Sequence, residues 1–180
     1  MKLVVVIPAF NEEQRIAKTI EAVKLYADAV VVVDDGSSDR TSVVAKEAGA
    51  TVIRHMINCG PGAATQTGLV YAKTLRPDYV ATFDADGQHD PATIPALVKE
   101  IEAGSDVVFG SRFLGAEAVG MPAHRKYLLG LAKTFNRLAL GISSRVTDPQ
   151  SGYRALSAKA AQRLPRVLQI STPSKHCANS

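Results

Sequence analysis

Five short apolar runs recur between residues 3 and 110: LVVVI (3–7), AVVVV (29–33), TVIRH (51–55), YVATF (79–83) and DVVFG (106–110). They are apolar on both alternating faces, as expected of parallel strands covered by helices on each side. Helical patterns fill the gaps between them. Residues 13–26 place Ile16, Ile20 and Val23 on one face. Residues 40–48 follow Asp39 as N-cap and stop at Gly49, and residues 62–75 form a helix of small residues. Residues 92–103 begin after Asp90 as N-cap, with Pro91 at the first helical position, and end at Gly104. Strand–helix alternation of this kind predicts an α/β fold: an open, mainly parallel sheet with right-handed crossovers and helices on both faces.

Beyond Gly110 the rhythm changes. Residues 114–122 read as a loop and 123–140 as one longer helix with Leu128, Leu131 and Phe135 on a face. TDPQSGYRALS (147–157) is turn-rich, and 157–164 reads as a short capped helix. From Pro165 no periodicity survives, so the reading is one domain over 1–164 and a polar tail over 165–180.

With 180 residues, 46% hydrophobic and 21% charged, the chain has the composition of one globular domain with a sizeable core. The formal charge of +4 is mild. A basic stretch from Arg112 to Arg145 suits phosphate or an anionic membrane surface and is too diffuse to indicate nucleic acid. Cys59 and Cys177 make neither a metal spacing nor a disulfide framework, which points to a reducing cytoplasm. No apolar stretch reaches the roughly 18–20 residues of a membrane helix, and the N-terminus lacks the pattern of a secretory signal.

Ligands of open α/β sheets bind beyond the carboxyl ends of the strands. Here those positions read PAFNEE (8–13), DDGSSDRT (34–41), MINCGPGAA (56–64), DADGQHDP (84–91) and GSRF (110–113). No G-x-G-x-x-G follows the first strand and no G-x-x-x-x-G-K-[ST] occurs, which excludes the dinucleotide fingerprint and the P-loop. A site built from acids suits hydrogen bonding to a base and ribose. The second acid pair, Asp84 and Asp86, suits a divalent ion that bridges a diphosphate. His89 falls off the 84, 86, 88 alternation and reads as a supporting or surface residue.

PAFNEE, VVVVDDGSSDRT, FDADGQHDP and GSRF, in this order and spacing, resemble the family 2 glycosyltransferases of GT-A fold. DADGQ followed by GSRF, Arg125 and DPQSGYR is most similar to the dolichol-phosphate mannosyltransferase and polyprenyl-phosphate glycosyltransferase branch. The resemblance covers about residues 3–160. It implies that Pro8, Phe10 and Glu12 frame a nucleotide while Asp35 reaches its base or ribose. Asn58 and Gly60 join the nucleotide site, and Asp84, Asp86 and Gln88 hold Mg²⁺ or Mn²⁺ and the diphosphate. Arg112 and Arg125 contact the acceptor or donor phosphate, Arg154 is a further candidate, and Asp148, Ser151 and Gly152 form a turn near the site. Asp86, Arg112 and Asp148 make up the catalytic set, Asp148 as base or as a partner holding an arginine.

Architectural roles compete for several of these residues. Glu12 and Glu13 suit a helix N-terminus, Gly36 a positive-φ turn and Asp39 a cap. The implied reaction is inverting transfer of a sugar from a nucleoside diphosphate sugar. A polyprenyl phosphate acceptor is already an anion and needs no base, whereas a saccharide hydroxyl needs one. Arginines at the acceptor position favour the phosphate and a place at the cytoplasmic membrane surface. The polar C-terminal end departs from the family's usual strand and bilayer-facing segments, which leaves a nucleotide-sugar-binding module without transfer as the alternative.

Overall fold

The computed structural model describes residues 1–87, 89–110 and 152–163. In chain order these form β1 (Leu3–Ala9), α1 (Ile16–Lys24), β2 (Ala29–Asp34), α2 (Thr41–Glu47), β3 (Thr51–Arg54), α3 (Pro61–Thr74) and β4 (Tyr79–Thr82). A 3₁₀ turn (Pro91–Thr93), α4 (Ile94–Glu102), β5 (Val107–Phe109), β6 (Arg154–Ser157) and α5 (Ala158–Arg163) follow. The six strands make one sheet in the order β3-β2-β1-β4-β6-β5.

Valine alternation builds the two cores. Val5, Ile7, Val32, Ala81 and Phe83 face one side of the sheet, where Ile16, Ile20 and Val23 of α1 and Ile94 of α4 pack on them. Val4, Val6, Val31 and Val80 face the other side, against Leu69 and Ala72 of α3 and Ala161 of α5. Such burial is worth about 1.5–3 kcal/mol per large apolar side chain. The small residues of α3 have a reason: a Cβ at Gly68 would overlap Val6 Cγ1, so the helix lies close on β1.

β1 to β4 are mutually parallel, as the sequence predicts. The expectation of doubly buried strands holds for β1, β2 and β4. It fails at the edges, where Thr51 and Arg54 of β3 and Val107 of β5 are exposed. β6 is the element the sequence reading missed: it runs antiparallel between β4 and β5, with Thr82 opposite Arg154 and Phe109 opposite Arg154. The turn-rich stretch therefore ends in a strand, and Ser157 Oγ then accepts from Ala160 N–H (3.1 Å) to cap α5. Asp90 caps as expected, accepting from Ala92 N–H (2.9 Å). Among the described residues no helix is long and apolar enough to cross a membrane. The proposed 165–180 tail lies outside the described residues.

β2 and β3 lie on one side of β1 and β4 on the other. The direction of winding thus reverses between β1 and β4, and the crevice beyond their carboxyl ends is where an open α/β sheet receives its ligand.

Candidate active site

The loops after β1 and β2 are tied together by backbone N–H groups donating to side chains. Asn11 N–H donates to Ser37 Oγ (2.9 Å), and Asn11 Oδ1 accepts from Ser38 N–H (2.9 Å). Asn11 itself sits at φ 55, a left-handed conformation that asparagine tolerates better than most residues. Glu12 N–H donates to Thr41 Oγ1 (2.8 Å) and Glu13 N–H to Asp39 Oδ2 (3.1 Å). Glu13 Oε2 in turn accepts from Arg40 N–H (2.9 Å), so Glu13 serves the entry of α2. Asp39 also accepts from Thr41 N–H (2.9 Å). Burial pushes its carboxyl up, but the Thr41 hydroxyl, the Thr41 N–H and the Glu13 N–H together bring it below the ordinary carboxylate value. Asp34, fully buried, accepts from Ser37 N–H (2.9 Å) and from the Ser42 hydroxyl, with Arg54 Nε at 3.7 Å. The first aspartate of the DD pair is therefore architectural.

The second, Asp35, gathers the loop after β3. It is 3% exposed and accepts from Cys59 N–H (3.0 Å), Gly60 N–H (2.7 Å) and His55 Nδ1 (2.7 Å). Burial raises its pKa, and the bonds from Cys59, His55 and Gly60 with the charge of His55 outweigh that, leaving it below the ordinary value. His55 Nε2 meets Thr67 Oγ1 at 2.9 Å, so the imidazole is held at both nitrogens. Gly36 has φ 75, and a Cβ there would lie 2.7 Å from the Ile57 carbonyl carbon. Glycine is thus required twice over where the loops cross.

At the other end of the crevice, β4 stops at Thr82 and Phe83 is buried. Asp84 is half-buried, Ala85 buried and Asp86 exposed. A Cβ on Gly152 would come within 2.6 Å of Asp84 Oδ2 and closer to Oδ1, so the missing side chain makes the space the carboxylate occupies. The Thr82 hydroxyl donates to the Gly152 carbonyl, fixing that chain across the end of β4. Tyr153 follows, 3% exposed, edge-on to Phe83 (5.3 Å, 80°) and 2.8 Å from Thr93 Oγ1. Burial pushes its hydroxyl up to about 12, the Thr93 bond opposes this and Asp90 adds to it. The ring is therefore neutral and serves packing.

Pro8, Phe10, Glu12, Asp35, Asn58, Asp84 and Asp86 line a single cavity of about 280 Å³. Seven residues proposed from sequence thus converge, Pro8 from the end of β1 and the others from the loops after β1, β2, β3 and β4. Glu12 also pairs with Arg15 at 3.4 Å. Gly60 is not in the lining; its N–H goes to Asp35. Arg154 is not in the lining either, its guanidinium lying 5.7 Å from the centre of the Phe109 ring. His89 packs its ring 4.7 Å from that of Tyr153. Gln88, Arg112, Arg125, Asp148 and Ser151 lie outside the described residues. Two carboxylates beyond β4, with room kept at Asp84 by Gly152, offer the hard oxygen donors that Mg²⁺ or Mn²⁺ takes.

His55, Thr67 and Tyr153 escaped the sequence reading. A signal for His55 existed: with Asp34 paired to Arg54 in parallel register, the next residues along, 35 and 55, fall side by side.

Residues 4–163 match the family described as Glycosyl transferase family 2. The chain is 36% identical over 184 residues to a UDP-N-acetylglucosamine–dolichyl-phosphate N-acetylglucosaminyltransferase of Methanococcus voltae, covering 91% of this chain and 72% of the relative. It is 35% identical over 165 residues to a dolichol-phosphate mannosyltransferase of Pyrococcus furiosus, covering 87% of this chain and 46% of that one. Its fold matches glucosyl-3-phosphoglycerate synthase from Mycobacterium tuberculosis, solved with Mn²⁺, UDP and glucosyl-3-phosphoglycerate. There the TM-score is 0.67 and the identity 25%, over 88% of this chain and 57% of the solved one.

Proposed function

The chain belongs to glycosyl transferase family 2, and on that premise we propose that it moves a sugar from a nucleoside diphosphate donor to a polyprenyl or dolichyl phosphate, with inversion at the anomeric carbon. The observation that carries this reading is the single cavity that Phe10, Asp35 and Asn58 line together with Asp84 and Asp86, with β1 standing between the strands that bear Asp35 and Asp84. Its length of chemistry is that of a nucleotide: an apolar face and hydrogen-bonding groups, then paired carboxylates.

Phe10, 45% exposed, offers a face on which the base stacks. Asp35 already accepts three hydrogen bonds, two at Oδ1 and one at Oδ2. A carboxylate has about four acceptor positions, so one remains, on Oδ2, for a base N–H or a ribose hydroxyl. Asp84 and Asp86, with Gln88, would hold Mg²⁺ or Mn²⁺, which when bound neutralises the charge that builds on the departing diphosphate. In this reading Arg112 and Arg125 fork onto the acceptor phosphate. Asp148 orients one of those arginines, because an acceptor that is already an anion asks for no base. Two relatives named for dolichyl phosphate support that acceptor, and the lipid places the reaction at a membrane surface.

The test is to titrate GDP and UDP with Mg²⁺ or Mn²⁺, then to assay transfer to polyprenyl phosphate with and without chelator. Metal-dependent binding and a lipid-linked product abolished by chelation are expected. Nucleotide binding without lipid product overturns the acceptor, and full turnover under chelation overturns the metal.

A further inference from the structure

We propose that Asp35, His55 and Cys59 form a second cation site, of a different chemical class from the Asp84/Asp86 end: a soft site for Zn²⁺ whose occupation excludes the nucleotide. One ligand atom from each of the three side chains lies within 4.8 Å of the other two. The set is one thiol, one imidazole and one carboxylate, which Zn²⁺ accepts and which Mg²⁺ and Mn²⁺ disfavour. Bonds of about 2.0–2.3 Å leave tetrahedral ligand atoms roughly 3.3–3.8 Å apart. The thiol of the exposed Cys59 side chain, whose one partner among the described residues is the Ile57 carbonyl at 3.4 Å, rotates in to close the wider gaps.

The surroundings are those of a supported site. Cys59 and Gly60 donate their N–H groups to Asp35, so the thiol is tethered beside the carboxylate by its own backbone. His55 Nδ1 faces Asp35, and Nε2 faces the hydroxyl of Thr67, which is 3% exposed. On coordination Nδ1 presents its lone pair to the ion, its proton leaves and the ring N–H stands on Nε2, donating to Thr67. Such an outer partner fixes the tautomer of a metal-bound histidine. The Cys59 thiol becomes a thiolate and its proton goes to solvent; no electron is transferred. The fourth position stays open to water.

Exclusion follows from Asp35. Its Oδ1 stands 2.7 Å from His55 Nδ1, too near for both atoms to ligate one ion, so the ion takes the remaining position on Oδ2, the one the proposed nucleotide uses. This part rests on the reading given under Proposed function; the binding of the ion does not.

The test uses the full chain, reduced, without nucleotide, with Co²⁺ and then Zn²⁺ as probes. Wild type should show a thiolate-to-cobalt charge-transfer band that one equivalent of Zn²⁺ removes, and Cys59→Ser should lack the band while keeping its fold. Thr67→Val should lower Zn²⁺ affinity about 10–100-fold. Absence of the band in wild type, or its persistence in Cys59→Ser, overturns the site. Zn²⁺ should then raise the apparent Kd for UDP or GDP in proportion to free ion in wild type and not in Cys59→Ser. Simultaneous binding of Zn²⁺ and nucleotide overturns the exclusion. A chain with the cobalt band and no nucleotide affinity keeps the metal site and sinks the transferase reading instead.

Discussion

The two ends of the cavity are built on opposite principles. Around Asp35 the loops after β1, β2 and β3 are locked by N–H groups donating to Asp34, Asp35, Asp39, Ser37 and Asn11, and the carboxylates of Asp34 and Asp35 are buried. At Asp84 and Asp86 the carboxylates are half-buried and exposed, and the chain has already left the strand. The first end is fixed before any ligand arrives. The second keeps acid facing the cavity, where like charges are tolerable if a cation shares them. Stability and chemistry should therefore separate along the cavity, and substitutions can break that separation.

The largest effect belongs to the open end. Asp86→Ala should cost about 100–1000-fold in kcat, the scale of losing one group that stabilises developing charge, while an exposed site should leave stability within about 0.5 kcal/mol. Transfer assays beside a thermal melt check both; a large drop in Tm contradicts the division. Next comes Gly152→Ala. Its Cβ would overlap both Asp84 carboxylate oxygens, and a displacement of about 1 Å at a reacting centre costs up to roughly 100-fold. Rates should fall while nucleotide binding without metal is retained. At the closed end the balance inverts. Asp35→Ala strips acceptors from Cys59 N–H and His55, while Gly60 N–H keeps Asn58 Oδ1, and a buried group left unsatisfied costs about 1–3 kcal/mol. Urea denaturation should show the loss before any assay does.

This division also explains what was legible in the sequence. Valine-rich runs revealed β1, β2 and β4 because two-sided burial leaves a continuous apolar string, as in Val4–Ile7 and Val30–Val33. β6 was not legible, because RALS carries only two apolar residues, between Arg154 and Ser157, and its pairing with Thr82 and Phe109 comes from distant chain. The acids at the strand ends could be read and grouped, since each follows a recognisable strand. Asp39 and Asp90 could also be read as caps; what could not be read is the part played by Asp34. Asp34 and Asp35 are neighbours of identical chemistry, yet one binds Ser37, Ser42 and Arg54 and the other lines the cavity. Burial against a partner loop decides that, and the partner, His55, lies beyond an edge strand with no motif around it. Gly152 is the same case: its bareness matters only because Thr82 draws it across Asp84.

The smallest effect sharpens the comparison through pH. The folded-state pKa of Asp35 lies below the ordinary 3.8, and that of Asp39 is lowered in the same direction. A carboxyl whose pKa is depressed by folding adds stability that is complete above its unfolded value and disappears as pH falls through the folded one. Wild type should therefore lose stability as the pH drops below about 3.8, in the span where the unfolded chain takes up protons that the folded chain refuses. Asp35→Asn removes one of the two groups responsible and keeps the shape of the side chain. Its stability should be lower than wild type at neutral pH, and the gap should narrow on acidification. Urea midpoints taken at about pH 6 and about pH 3 measure the narrowing. A gap that stays constant across that range means the closed end is held by packing rather than by the charge on Asp35, and the contrast between the two ends of the cavity then loses its electrostatic basis.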